Sequence, residues 1–270
     1  MPTPVLALLL AVLLAAALSA GTPALLRWCP WPDEEVDPET PANAGSPPPG
    51  SAAPRRPGLD SPWPGSSGVE PVGREDALGP RPPVATFCDL ATPRFRTAVF
   101  WCSAGAAGMA FCLARPTLWL AWAALAGPGV LLALVDLRTT YLPTRLVSLA
   151  AAVAAVGAGV AAWTQESVGP LLWAGIGGAG ATALFWLLWW ASRGRLGFGD
   201  VRLAGLIGLV AGATSPHLVS WAIFLGALAS ALWGVGVRWR RGADGAFPYG
   251  PGFLLGPFLA LALSWVWQLA

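Results

Sequence analysis

Gly194-Arg195-Leu196-Gly197-Phe198-Gly199-Asp200-Val201-Arg202-Leu203 places a carboxylate at the head of an apolar run. From Val201 to Gly212 the chain is apolar apart from Arg202. Asp200 therefore stands where a chain enters a membrane. An ionisable side chain there is costly and is a functional candidate by default. Gly197 and Gly199 remove two side chains just ahead of it, so backbone, including that of a substrate, can come close. The alternative is local: Asp200 caps the helix it opens, and the glycines form a turn.

A second carboxylate has a similar setting. Val135-Asp136-Leu137-Arg138 closes another apolar run, with Leu142-Pro143 just beyond it. From residue 97 onward the acidic residues are Asp136, Glu166, Asp200 and Asp244. Two of these stand at expected membrane boundaries.

Asp136-Leu137-Arg138 with Leu142-Pro143, then Gly197-Phe198-Gly199-Asp200-Val201-Arg202-Leu203, resembles the paired motifs of the bacterial type IV prepilin peptidases. These are GxGD-type intramembrane aspartic proteases. Phe247-Pro248-Tyr249-Gly250-Pro251, ahead of the last apolar run, is similar to that family's Pro-Gly-Pro segment. The resemblance covers residues 97–270, the peptidase part. It implies Asp136 and Asp200 as the catalytic pair, and Pro143, Gly197, Gly199, Pro248, Gly250 and Pro251 as residues that shape the site. It implies no metal and no other cofactor. The implied substrates are type IV pilin-like or pseudopilin precursors. Their short basic leader would be removed at the cytoplasmic face of the bacterial inner membrane.

Composition gives the class independently. The chain is 55% hydrophobic and 11% charged, with mean hydropathy +0.59, against about 25% charged residues in soluble domains. It is an integral membrane protein. The basic residues are all arginine, and they are scattered between apolar runs. Nucleic-acid binders gather them on one face, so no nucleic-acid partner is expected. Cys29, Cys88, Cys102 and Cys112 form no Cys-x-x-Cys pair, which argues against a zinc site or a disulfide framework. Cys102 and Cys112 lie inside an apolar run and read as small core residues.

In chain order, residues 1–26 form a first apolar segment. It has no basic residue ahead of it, as a signal peptide would require, and Arg27 follows it. That favours a retained anchor with Arg27 in the cytoplasm; cleavage near Ala20 is the alternative. Residues 27–95 hold the acidic patch Asp33, Glu34, Glu35, Asp37 and Glu39 and many Pro, Gly and Ser residues. Such a segment cannot offset its ordering entropy by burial and is expected to be a disordered cytoplasmic loop. Many relatives carry a domain here with two Cys-x-x-Cys pairs, linked to methylation of the new pilin N-terminus. This loop has only Cys29 and Cys88, far apart, which speaks against a methyltransferase role.

Residues 96–270 then form a seven-helix peptidase domain. Its spans are expected near 97–114, 117–135, 145–163, 168–191, 200–214, 217–237 and 250–269. The fold class is all-α: a polytopic membrane bundle of about eight transmembrane helices. Arginines flank alternate connections: Arg138 and Arg145, then Arg193 and Arg195, then Arg238, Arg240 and Arg241. Only Arg115 breaks the pattern. The positive-inside rule puts these basic connections, and so both aspartates, on the cytoplasmic side. Asp200, Ala204, Gly208 and Gly212 share one face, as do Gly129, Ala133 and Asp136. These small-residue stripes would let the two aspartate-bearing helices pack closely.

Two carboxylates close together do not both ionise cheaply, so one keeps a proton while the other acts as a base. That pair activates water against a peptide carbonyl without metal, Ser-His pair or thiol. Which aspartate is the acid is left open, because the pair titrates as a unit. His217, the single histidine, falls in a short loop on the opposite side and reads as solvated. Arg138 and Arg202 are tuners of the pair or, more simply, headgroup anchors. Two other functions stay open: a transporter using Asp136 and Asp200 as proton or cation sites, and a degenerate peptidase kept as a scaffold.

Overall fold

The structure, a computed structural model, describes residues 4–29, 87–193, 196–241 and 249–269. Within these residues every regular element is helical. Helix α1 runs Pro4–Trp28 and α2 Pro93–Leu113. The next span, Pro116–Thr139, contains α3 (Trp119–Ala124), a π turn at Leu125–Gly129 and α4 (Val130–Thr139). Then come α5 (Thr144–Thr164), α6 (Gly169–Ala191), α7 (Phe198–Thr214), α8 (Pro216–Arg241) and α9 (Gly250–Leu269). Among the described residues seven spans are long and apolar enough to cross a membrane. The chain is an all-α, multi-pass membrane protein. Helix α7, at 17 residues, is about 25 Å long at 1.5 Å per residue, short of the roughly 30 Å hydrocarbon core.

Local chemistry sets the starts. Thr92 caps α2 by accepting from the Phe95 N–H at 3.2 Å, and Pro93 follows at the first helical position, where its missing N–H costs nothing. Pro143 is the N-cap of α5 and Gly197 that of α7. The π turn holds Pro128, whose missing N–H and bulky ring disturb the regular ladder.

Small residues govern the packing inside the bundle, but not between the helices expected. A Cβ at Gly208 would overlap the Gly177 carbonyl oxygen, and one at Gly212 the Trp173 carbonyl oxygen. The stripe on α7 therefore packs on α6 and not on α4. Gly129 faces Leu254 of α9 instead, with a Cβ there 3.3 Å from Leu254 Cδ1. The expectation that these stripes bring α4 and α7 together is corrected: the α7 stripe admits the α6 backbone, and Gly129 admits a leucine side chain of α9. Helices α8 and α9 meet the same way. A Cβ on Gly256 would overlap the Ala222 carbonyl oxygen, and one on Gly252 would lie 2.6 Å from Ser230 Cα. Helix α1 buries Ala7, Ala11 and Ala15 and runs antiparallel to α2. Ser19 Oγ donates to the Arg96 carbonyl at 3.0 Å, and Arg96 Nε to the Ser19 carbonyl at 3.1 Å. Cys102 and Cys112 are exposed, contrary to the core reading: on α2 they fall outside the buried face of Val99, Ser103, Ala107 and Phe111. Cys29 is buried, which pushes its thiol up from the ordinary range.

The chain ends of the helices sort into two groups. At one end, Arg145 Nη1 donates to the Trp28 carbonyl at 2.9 Å, and the Phe87 ring stacks on Tyr141 at 5.8 Å. The C-terminus of α4 and the starts of α5, α7 and α9 gather there. At the other end, Gln165 Nε2 donates to Thr117 Oγ1 at 2.9 Å, and Trp122 Nε1 to Thr214 Oγ1 at 3.1 Å. Most of the segment expected to be a disordered loop, residues 30–86, lies outside the described residues.

Candidate active site

Asp136 lies in the last turns of α4 and is 4% exposed. The turn after it is closed by Thr140 in a left-handed conformation, φ 54°, whose N–H donates to the Asp136 carbonyl at 2.7 Å. The side chain points at the start of α9, where the Gly250 N–H donates to Asp136 Oδ2 at 2.9 Å. A helix N-terminus leaves its first N–H groups without intrahelical partners and favours negative charge beside it. Asp136 thus caps a helix other than its own. Ser230 Oγ on α8 donates to the Tyr249 carbonyl at 3.1 Å and steadies that start. Gly250 must be glycine, because a Cβ there would lie 2.6 Å from Asp136 Oδ2. Pro251 follows it, half-buried in the first turn of α9.

Asp200 is 8% exposed and is the third residue of α7 after the N-cap Gly197. Its own N–H donates to the Gly197 carbonyl at 3.1 Å, and the Gly197 N–H donates back to the Asp200 carboxylate. The cap reading is therefore corrected in position. Asp200 takes the third helical position and reaches back to the amide of the N-cap, a glycine, so only this half of a capping box is present. Its charge and that of Asp136 are close enough to interact. Gly199 is packed by Leu142, with a Cβ there 3.1 Å from Leu142 Cδ1 and 3.2 Å from Leu142 Cβ. Gly197 is exposed, and a Cβ there meets only Asp200 Oδ2, at 3.4 Å.

The site gathers Asp136, Pro143, Gly197, Gly199, Asp200, Gly250 and Pro251 at one end of the bundle. Pro248, together with Gly194, Arg195 and Asp244, lies outside the described residues. Two residues not expected at the site join it: Leu142, which fills the space opposite Gly199, and Thr144, which accepts from Arg202 Nη1 at 2.6 Å. Arg202 is half-buried, with Cζ 5.0 Å from the Phe198 ring centroid. It binds protein groups through Nη1 and its ring contact, whereas Arg138 is exposed. Among the described residues no group of three or more His, Cys, Asp or Glu side chains is arranged to hold a metal ion.

Residues 122–231 match the model of the type IV leader peptidase family. Over that stretch the chain is similar to this family. The match runs from α3 into α8 and includes both aspartates. It leaves out α1, α2 and α9, so the Gly250 donor to Asp136 lies beyond it. No curated protein and no solved structure matches the chain. The match supports a type IV leader peptidase-like protease.

Proposed function

We propose that the chain is an intramembrane aspartic endopeptidase that removes the leader of type IV pilin-like or pseudopilin precursors at the cytoplasmic face of the bacterial inner membrane. The observation that carries this reading is the burial of two carboxylates at one end of the bundle, each against the N-terminal amides of a helix. In a dry setting such carboxylates interact strongly. One takes a proton from water while the other, protonated, donates to the scissile carbonyl oxygen. Both are covered in this arrangement, so the segments over them part when a substrate binds. The cytoplasmic side is supported by charge. Arg27, Arg94, Arg96, Arg138, Arg145, Arg193 and Arg202 lie at the aspartate end, and Arg115 at the other.

Co-expression with a panel of prepilin-like precursors tests the activity. Leader removal, read by mass spectrometry, is expected with the native chain. A membrane-inserted chain that leaves every precursor intact would falsify the reading. A membrane-impermeant maleimide on intact cells tests the side. Ser167→Cys should label and Arg138→Cys should not, and the reverse pattern puts the site on the other face.

A further inference from the structure

Resting on the peptidase reading above, we propose that Arg202 and Thr144 form a positioning pair that sets the approach and rotation of Asp200 relative to Asp136. A guanidinium near a membrane boundary ordinarily reaches for headgroups. Arg202 is half-buried and turns one arm inward. Its Nη1 donates to Thr144 Oγ1 at 2.6 Å, and its Cζ lies over the Phe198 ring. The Phe198 ring in turn meets Trp189 of α6 edge-on at 5.5 Å. Both of these partners are neutral. What it supplies is a rigid planar donor that stacks, a geometry lysine lacks.

The placement of the two ends explains why this matters. Thr144 is the first residue of α5, directly after the N-cap Pro143. The short turn from Asp136 to Thr144 is closed by the left-handed Thr140. On the other side, Gly199 and Arg202 are three residues apart on α7 and so share a face, and Asp200 lies between them. Gly199 is packed by Leu142 and Arg202 is tied to Thr144. A single contact would leave a pivot about which the start of α7 turns. Two contacts one turn apart remove it. Reacting groups must be held to within about 0.5 Å of productive geometry, so loss of the second contact should slow chemistry while substrate still binds.

The test uses the full-length chain in membranes, with a cleaved precursor and hydrogen exchange measured in parallel. Arg202→Met should lower kcat about tenfold with KM within about twofold. Arg202→Lys should lose about threefold, because it keeps a donor without the fork. Thr144→Val should approach the Arg202→Met loss, and Thr144→Ser should restore nearly native turnover. The Arg202→Met, Thr144→Val double variant should be no worse than Arg202→Met alone, as for groups acting as a unit. Exchange over 140–147 and 198–206 should rise in Arg202→Met and Thr144→Val but not in Thr144→Ser. Additive losses, a loss confined to KM, native turnover in Arg202→Met, or unchanged exchange overturn the pair. If the native chain cleaves no precursor, the peptidase reading fails, and exchange alone then decides whether the pair holds α7.

Discussion

Asp136 and Asp200 are buried at the same end of the bundle, yet they are held there by different means. Asp200 is set by its own helix: it reaches back three residues to the Gly197 amide. Asp136 closes α4, and its donor is the amide of Gly250, 114 residues further along the chain. The first arrangement forms as soon as α7 forms. The second exists only once α4, α8 and α9 have packed, because Ser230 of α8 steadies the start of α9. One carboxylate is placed locally and the other by the whole fold, so damage elsewhere should reach Asp136 first.

The largest expected effect tests whether the two aspartates act together at all. Asp136→Asn and Asp200→Asn should each lower leader cleavage by about a thousandfold or more, with insertion intact. The double change should be no worse than either single one. Substantial cleavage by Asp200→Asn alone would return Asp200 to a purely local capping role.

The glycines separate the two settings more finely. Gly250→Ala puts a methyl 2.6 Å from Asp136 Oδ2 and should lower kcat about tenfold or more. Gly199→Ala presses on Leu142, whose Cδ1 can shift but whose Cβ at 3.2 Å yields less, and should cost less than Gly250→Ala. Gly197→Ala meets only ordinary contact and should stay within about twofold. Equal losses at all three positions would mean that glycine serves backbone freedom here rather than space.

Helix packing offers a third contrast. Gly208→Ala and Gly256→Ala each force a methyl into a neighbouring helix's carbonyl oxygen and should cost about 1–3 kcal/mol of stability. Thermal unfolding in detergent measures that loss. Gly256→Ala disturbs the helix that carries the donor to Asp136 and Gly208→Ala the helix that carries Asp200, so both should also lower kcat of the folded fraction. The smallest effect belongs to Glu166→Gln, at the far end and exposed, which should change stability by less than about 0.5 kcal/mol and leave turnover unaltered.

Hydropathy located the spans, because each must be apolar over a membrane's thickness. The gathering of the ends near Asp136 and Asp200 followed from the alternation of the helices. Partners across the bundle were not legible. Gly208 and Gly212 form a small-residue stripe that reads the same whether it faces α4 or α6. Nothing in local periodicity links Arg202 to Thr144, 58 residues away. The Gly250 amide is a backbone group and leaves no residue-type signal except the need for glycine. The capping role of Asp200 was legible in kind but misplaced, since a carboxylate ahead of an apolar run suits the N-cap and the third helical position equally.

The fastening of Trp28 to Arg145 and of Phe87 to Tyr141 has a consequence for how the molecule can be divided. Trp28 at the end of α1 and Phe87 ahead of α2 contact Arg145 and Tyr141, which are only four residues apart. Each stump is anchored by its own contact, and α1 also holds α2 through Ala7, Ala11, Ala15 and Ser19. Continuity of the backbone between residues 30 and 86 is therefore not what keeps α1 in place. A chain severed there, supplied as two separately translated pieces, would reassemble in the bilayer as a split protein, joined by helix packing where it was once joined by peptide bonds.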